Sequence, residues 1–170
     1  MRTNMIAVVA FLAVLGSTSE ATAQTPKPDA NMRDMLLRHW NQVGDQVIKL
    51  AEEFPEDKYD YKPKPEVRTF AEQLRHVGFW NLFVIKTVRG ERIDPKVNEL
   101  SKAEYPSKEF LVKILKSTVA DAAKLLEGSP ADLPVKSAGL WVSFIEHSGE
   151  HYGQMVVYYR LNGLVPPASR

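Results

Sequence analysis

Residues 140–161 read LWVSFIEHSGEHYGQMVVYYRL, and the period of this stretch decides the fold. At about 100° per residue, Trp141, Phe144, Ile145, Ser148, Tyr152, Met155, Val156 and Tyr159 fill one arc of a helical wheel. Ser143, Glu146, Glu150 and Arg160 lie opposite. A helix so divided must bury its apolar side against other elements. Asn162-Gly163 supplies the left-handed residue that ends it, and Pro166-Pro167 prevents resumption.

Three earlier stretches share the period. From Asn31 to Phe54, the residues Met32, Met35, Leu36, His39, Val43, Val47, Leu50 and Phe54 recur at three- and four-residue steps, and Pro55 ends the run. Thr69 and Glu72 form an S/T-x-x-E capping box that opens a second helix, striped by Phe70, Leu74, Val77, Trp80, Val84 and Val88 and stopped by Gly90. Ser107 is placed to cap a third helix running to Glu127, with Leu111, Ile114, Leu115, Thr118, Ala122 and Leu125 inward. Nothing between them reads as a strand. The fold expected is all-α: a four-helix bundle over residues 31–167, with long connections after helices 1 and 2. The first connection holds Pro55, Pro63 and Pro65, which force it out of helix, and its Tyr59 and Tyr61 should lie on the bundle. Connections this long permit crossovers, so simple up-and-down order does not follow.

Composition removes several chemistries. The chain has 170 residues, 22 Lys plus Arg and 21 Asp plus Glu, for a net charge of +1. Neither that balance nor any basic run marks a nucleic-acid partner. There is no cysteine, which excludes disulfides, thiolate metal sites and a cysteine nucleophile. The N-terminus carries Arg2, an apolar run from Met5 to Leu15 and a small-residue segment ending Ala21-Thr22-Ala23. That is the three-part pattern of a secretory signal peptide over residues 1–23. Residues 24–30 are then expected to be a flexible lead-in. The expected mature chain is periplasmic or secreted, with no membrane segment.

The chain has four histidines: His39, His76, His147 and His151. His147 and His151 are four apart on the last helix, so they share a face with Cβ atoms roughly 5–6 Å apart. Two imidazoles so placed can converge on one ion. The spacing is that of H-E-x-x-H zinc helices, but the glutamates fall elsewhere and that mechanism does not transfer. Both lie at the border of the apolar arc, as does His76 on its own helix. Such positions suit a cleft, and they also suit ordinary hydrogen-bonded surface histidines; spacing alone leaves both readings open. A third ligand from another helix would give an open, catalytic type of site. His39, on the apolar side of the first helix, reads as core or cleft lining. Glu72 stands one turn before His76. It has a structural explanation in the capping box and is the nearest candidate for an acid–base role. Gln154 falls on the histidine side of the last helix.

Three segments together resemble the DinB-like (DinB/YfiT) superfamily of helical bundles: Thr69-Phe70-Ala71-Glu72-Gln73-Leu74-Arg75-His76 after its Pro-rich lead, His147-Ser148-Gly149-Glu150-His151-Tyr152-Gly153-Gln154, and Tyr159 through Pro167. The resemblance covers nearly the whole mature chain. It implies a four-helix bundle, often a homodimer, holding a divalent metal on His76, His147 and His151. Many members have a further His where this chain has Glu150, a position off the metal face. It also implies a small-molecule substrate and thiol-dependent transferase or isomerase activity. An exported chain lacks cytosolic thiols, so metal-assisted hydrolysis competes with that chemistry, and a non-catalytic metal- or ligand-binding bundle is the alternative. Zn, Ni, Cu and Fe all suit three imidazoles and a water. Because ligation needs neutral imidazole, metal affinity should fall as pH drops through about 6.

Overall fold

The computed structural model describes residues 31–170. The signal peptide and lead-in expected over 1–30 lie outside the described residues. Four helices follow in order: α1, Met32–Glu53; α2, Phe70–Val88; α3, Lys108–Glu127; and α4, Val135–Leu161. Short 3-10 turns occupy Glu56–Lys58 and Pro167–Ser169. Among the described residues there is no strand, and no helix is long and apolar enough to cross a membrane.

Local chemistry sets most boundaries where expected. Asn31 caps α1 by accepting the Asp34 N–H, and Pro55 holds Phe54 extended. The Thr69–Glu72 capping box is complete, with contacts of 2.6 and 3.1 Å. Gly163 ends α4 at φ +71°. The exception is the start of α4, which begins five positions before Leu140. Val135 is 90% exposed, so the first turn carries no apolar period, and the signal that remained was Pro134 directly before it.

His39 is a second correction. It is exposed rather than part of the core. The buried stripe of α1 runs through Leu36, Trp40, Val43, Val47, Leu50 and Phe54, and Trp40 takes the interior position one residue on. Its indole N–H donates to the Val119 carbonyl at 2.9 Å, and its ring meets Trp141 edge-on at 5.6 Å.

Neighbouring side chains define the topology. Gly44 lies against Val119, so close that a Cβ would stand 2.6 Å from a valine methyl, and Lys108 reaches back to the Phe54 carbonyl; α1 and α3 are antiparallel. Trp40 meets Trp141 and the Tyr159 hydroxyl donates to the Leu50 carbonyl, so α1 and α4 are parallel. Asn81 bonds Thr118 while Gly78 faces Ile114, which makes α2 and α3 parallel. Each helix packs on two others, α1 and α2 both against α3 and α4. The order is up, down, down, up.

Parallel α2 and α3 need a return strap, which residues 89–107 supply. The strap docks on α2 through Leu100, whose N–H donates to the Arg75 carbonyl and whose side chain is buried beside Gly78. The first connection is fixed differently. Tyr59 is buried and its hydroxyl donates to the Ala51 carbonyl. The carbonyls of Tyr61 and Tyr59 accept the Phe70 and Ala71 N–H groups. With Thr69 taking those of Glu72 and Gln73, the first-turn donors of α2 are all satisfied. Phe54 and Phe70 stack at 3.9 Å with Tyr159 at 5.0 Å from Phe54. Burying each such ring stabilises the fold by about 1.5–3 kcal/mol.

Candidate metal centre

Antiparallel α2 and α4 bring His76 opposite His147 and His151. The three ring centroids lie 4.5–5.0 Å apart, and one ligand nitrogen from each falls within 4.8 Å of the others. His76 and His151 are both 6% exposed, deeper than the border positions implied by their wheels, and His147 is half-buried. Part of the extra burial comes from the strap over His76.

Neighbours fix the protons of two rings. A carbonyl can only accept, so the 2.6 Å contact of His76 Nδ1 with the Asn98 carbonyl oxygen places a proton on Nδ1 and leaves Nε2 with a bare lone pair. Asn98 sits at φ +58°, a left-handed conformation that asparagine tolerates. Its side-chain oxygen takes the Trp80 indole N–H at 3.1 Å, so one residue orients both the ligand candidate and the adjacent aromatic wall. For His151 the partner is Gln73 Oε1, 2.7 Å from Nδ1. The orientation of that amide follows from Tyr158. Its hydroxyl donates to the Arg68 carbonyl, so toward Gln73 it can only accept, and the Gln73 NH2 faces it. The same NH2 donates to Gln154 Oε1 at 2.9 Å. Gln154 thus acts one bond further out than its sequence position promised. His151 Nδ1 carries the proton and Nε2 is free.

His147 differs. Its Nε2 lies 3.0 Å from His76 Nε2, and its Nδ1 is buried without a partner. Nitrogens that share one ion, each about 2.0–2.1 Å from it, can stand no more than about 4.2 Å apart, and this pair meets that limit. The donor set therefore fits a divalent cation: neutral imidazoles, two with fixed tautomers, and a ligand-sized separation.

Burial, which disfavours the imidazolium, pushes all three histidines below their ordinary pKa. His147 falls to about 4, helped by His76 and the Arg68 charge, and His151 to about 3, helped by His147, His76 and Arg68. His76 is lowered by burial against the opposing pull of the Asn98 bond. The rings of His147 and His151 therefore stay neutral well below pH 6, and burial moves His76 in the same direction.

The histidines open onto a cleft of ≈ 370 Å³ walled by Trp80 and Phe144, with Arg68, Asn98 and Ser143 at its edges. Glu72 does not line it. The Glu72 carboxylate is engaged with the Thr69 N–H, whose bond is the main reason its pKa is lowered, and Lys62 lies at 4.0 Å. Sequence reasoning singled out neither Asn98, Gln73 nor Arg68 for a role. Gln73 lay inside a quoted motif, three residues before His76. Asn98 sits in a strap with no periodicity to mark it.

A family model described as the DinB superfamily matches residues 39–155, a span that contains all three clustered histidines. The chain belongs to the DinB superfamily. No curated protein matches it. The all-helical bundle and the inward histidine cluster of this DinB-superfamily chain agree with what the sequence resemblance implied.

Proposed function

We propose that His76, His147 and His151 hold one divalent metal ion (Zn, Ni, Cu or Fe), and that the protein is an exported metal-dependent enzyme acting on a small molecule. The observation that carries the reading is the pair of Nδ1–H bonds, to Asn98 and Gln73, which turn two bare Nε2 lone pairs toward the third imidazole. A metal bound there would polarise a substrate group or lower the pKa of a bound water or thiol, which suits hydrolysis or thiol-dependent transfer. The chain's own part is to keep the ligands neutral by burial, hold the Nδ1 protons and present aromatic walls to the substrate. Export is supported by the signal-peptide pattern of residues 1–23, and a homodimer by family membership.

A second reading, a non-catalytic metal- or ligand-binding bundle, is favoured by one observation: none of the described residues lining the cleft is Asp or Glu. Elemental analysis of tag-free protein purified without added metal tests the common element. About one ion per chain, lost in His147→Ala, is expected; an ion-free wild type overturns both readings. Turnover of thiol conjugates, esters and amides by the loaded protein, or its absence across all three, then separates enzyme from binding protein.

A further inference from the structure

Arg68 is the one charged side chain among the described residues lining the histidine cleft, apart from the histidines themselves. The bond from Tyr158 to its carbonyl pins its backbone. Its side chain, 33% exposed, lies 3.6 Å from Glu99 Oε2, and among the described residues it makes no hydrogen bond. Glu99 is already committed. Its other oxygen accepts the Nε–H of the buried Arg75 at 3.0 Å. One carboxylate therefore faces two guanidinium groups, and a positive charge remains uncompensated at the mouth of the cleft.

With a divalent ion on three neutral imidazoles, the cleft would hold two like-signed centres and no acid to balance them. Such a site attracts anions, and its aromatic walls suit an apolar body. We propose that Arg68 determines specificity by binding the carboxylate of a small organic acid whose other polar group reaches the metal position. This inference rests on the metal reading above. A carboxylate fits better than a phosphate. One guanidinium offers a two-donor fork that matches a single carboxylate. The nearby helix N-terminus has no donor left, since the first-turn N–H groups of α2 are bonded to Tyr61, Tyr59 and Thr69. Lys62 faces Glu72 rather than the cleft.

The test uses the metal-loaded full chain and hydroxamates as probes, with affinities from calorimetry. Acetohydroxamate reads the metal alone, whereas the monohydroxamates of malonic, succinic and glutaric acid add a carboxylate at increasing reach. At least one of the acids should bind about tenfold more tightly than acetohydroxamate, the gain expected of one charged hydrogen-bonded pair. Arg68→Gln should erase that gain while leaving metal stoichiometry and acetohydroxamate affinity unchanged, and Arg68→Lys should restore part of it. An absent gain, or one that survives in Arg68→Gln, overturns the proposal. Failure of the metal reading looks different: neither metal nor acetohydroxamate binds. Succinate titrated against the metal-free chain then decides, because binding lost in Arg68→Gln keeps the anion site and no binding ends it.

Discussion

The aromatic end of the bundle and the histidine cleft are each completed by one of the long connections, and they are built on opposite terms. At the aromatic end, Phe54, Tyr59, Phe70 and Tyr159 pack ring on ring, and the Tyr59 and Tyr159 hydroxyls reach backbone carbonyls. At the cleft, the Nε2 atoms of His76 and His147 face one another, and the buried Nδ1 of His147 has no partner. The first region lowers the free energy of the fold; the second raises it in exchange for a poised set of donors. The strap over residues 89–107 serves the second region chiefly through Asn98, whereas the first connection serves the first through its tyrosines.

The contrast breaks most severely at Phe70. Phe70→Ala should cost about 3–5 kcal/mol of stability in denaturant unfolding, yet metal bound per folded chain should not change. If the metal is lost from folded protein, the two regions are not separable. Acid should divide them next. In chelator-treated protein, His147 and His151 have folded pKa values below their unfolded ones, so the unfolded chain takes up protons first as pH falls. The stability they contribute is complete above about 6.5 and is lost progressively toward pH 3, with a slope of up to about 1.4 kcal/mol per unit for each histidine. Urea midpoints measured from pH 7.5 to 4 should show that slope, and His151→Leu should reduce it. A slope unaltered in this variant would place the acid sensitivity elsewhere.

Smaller changes sharpen the comparison inside the cleft. Gln73→Leu removes the acceptor of His151 and should weaken metal binding by about 10–100-fold. Asn98→Ala keeps the carbonyl that His76 uses, so its affinity loss should be smaller, alongside about 1 kcal/mol of stability from a left-handed alanine. Competitive titration with a chromophoric chelator ranks the two, and the reverse order would refute the proton assignments. Tyr59→Phe is the mildest: about 1 kcal/mol of stability from one lost hydrogen bond, with metal affinity equal to wild type.

Much of the fold was legible because its boundaries are local. Thr69 with Glu72, Pro55 after Phe54 and Gly163 after Leu161 each state their effect within a few residues. So do His147 and His151, whose juxtaposition needs only a helix. The family resemblance, rather than spacing, put His76 with them. What escaped was long-range or lacked a period. The early start of α4 leaves Val135 in solvent with nothing to pattern. His39 could not be told from Trp40 until the partner helices fixed which edge of the stripe is covered. The up-down-down-up order, and with it the strap, depends on which helices pair, and so the arrival of Asn98 at His76 had no sequence signal. Arg68 looks like the last residue of a polar connection until Glu99, from the strap, is found already taken by Arg75.

The two fixed histidines also differ in how exposed they are to genetic change. His151 owes its tautomer to a glutamine side chain, so a single missense codon can abolish it. His76 owes its own to a peptide oxygen that every amino acid at position 98 would still carry. Substitutions there can only bend the backbone away by degrees, so variation at 98 should tune the centre gradually where variation at 73 switches it.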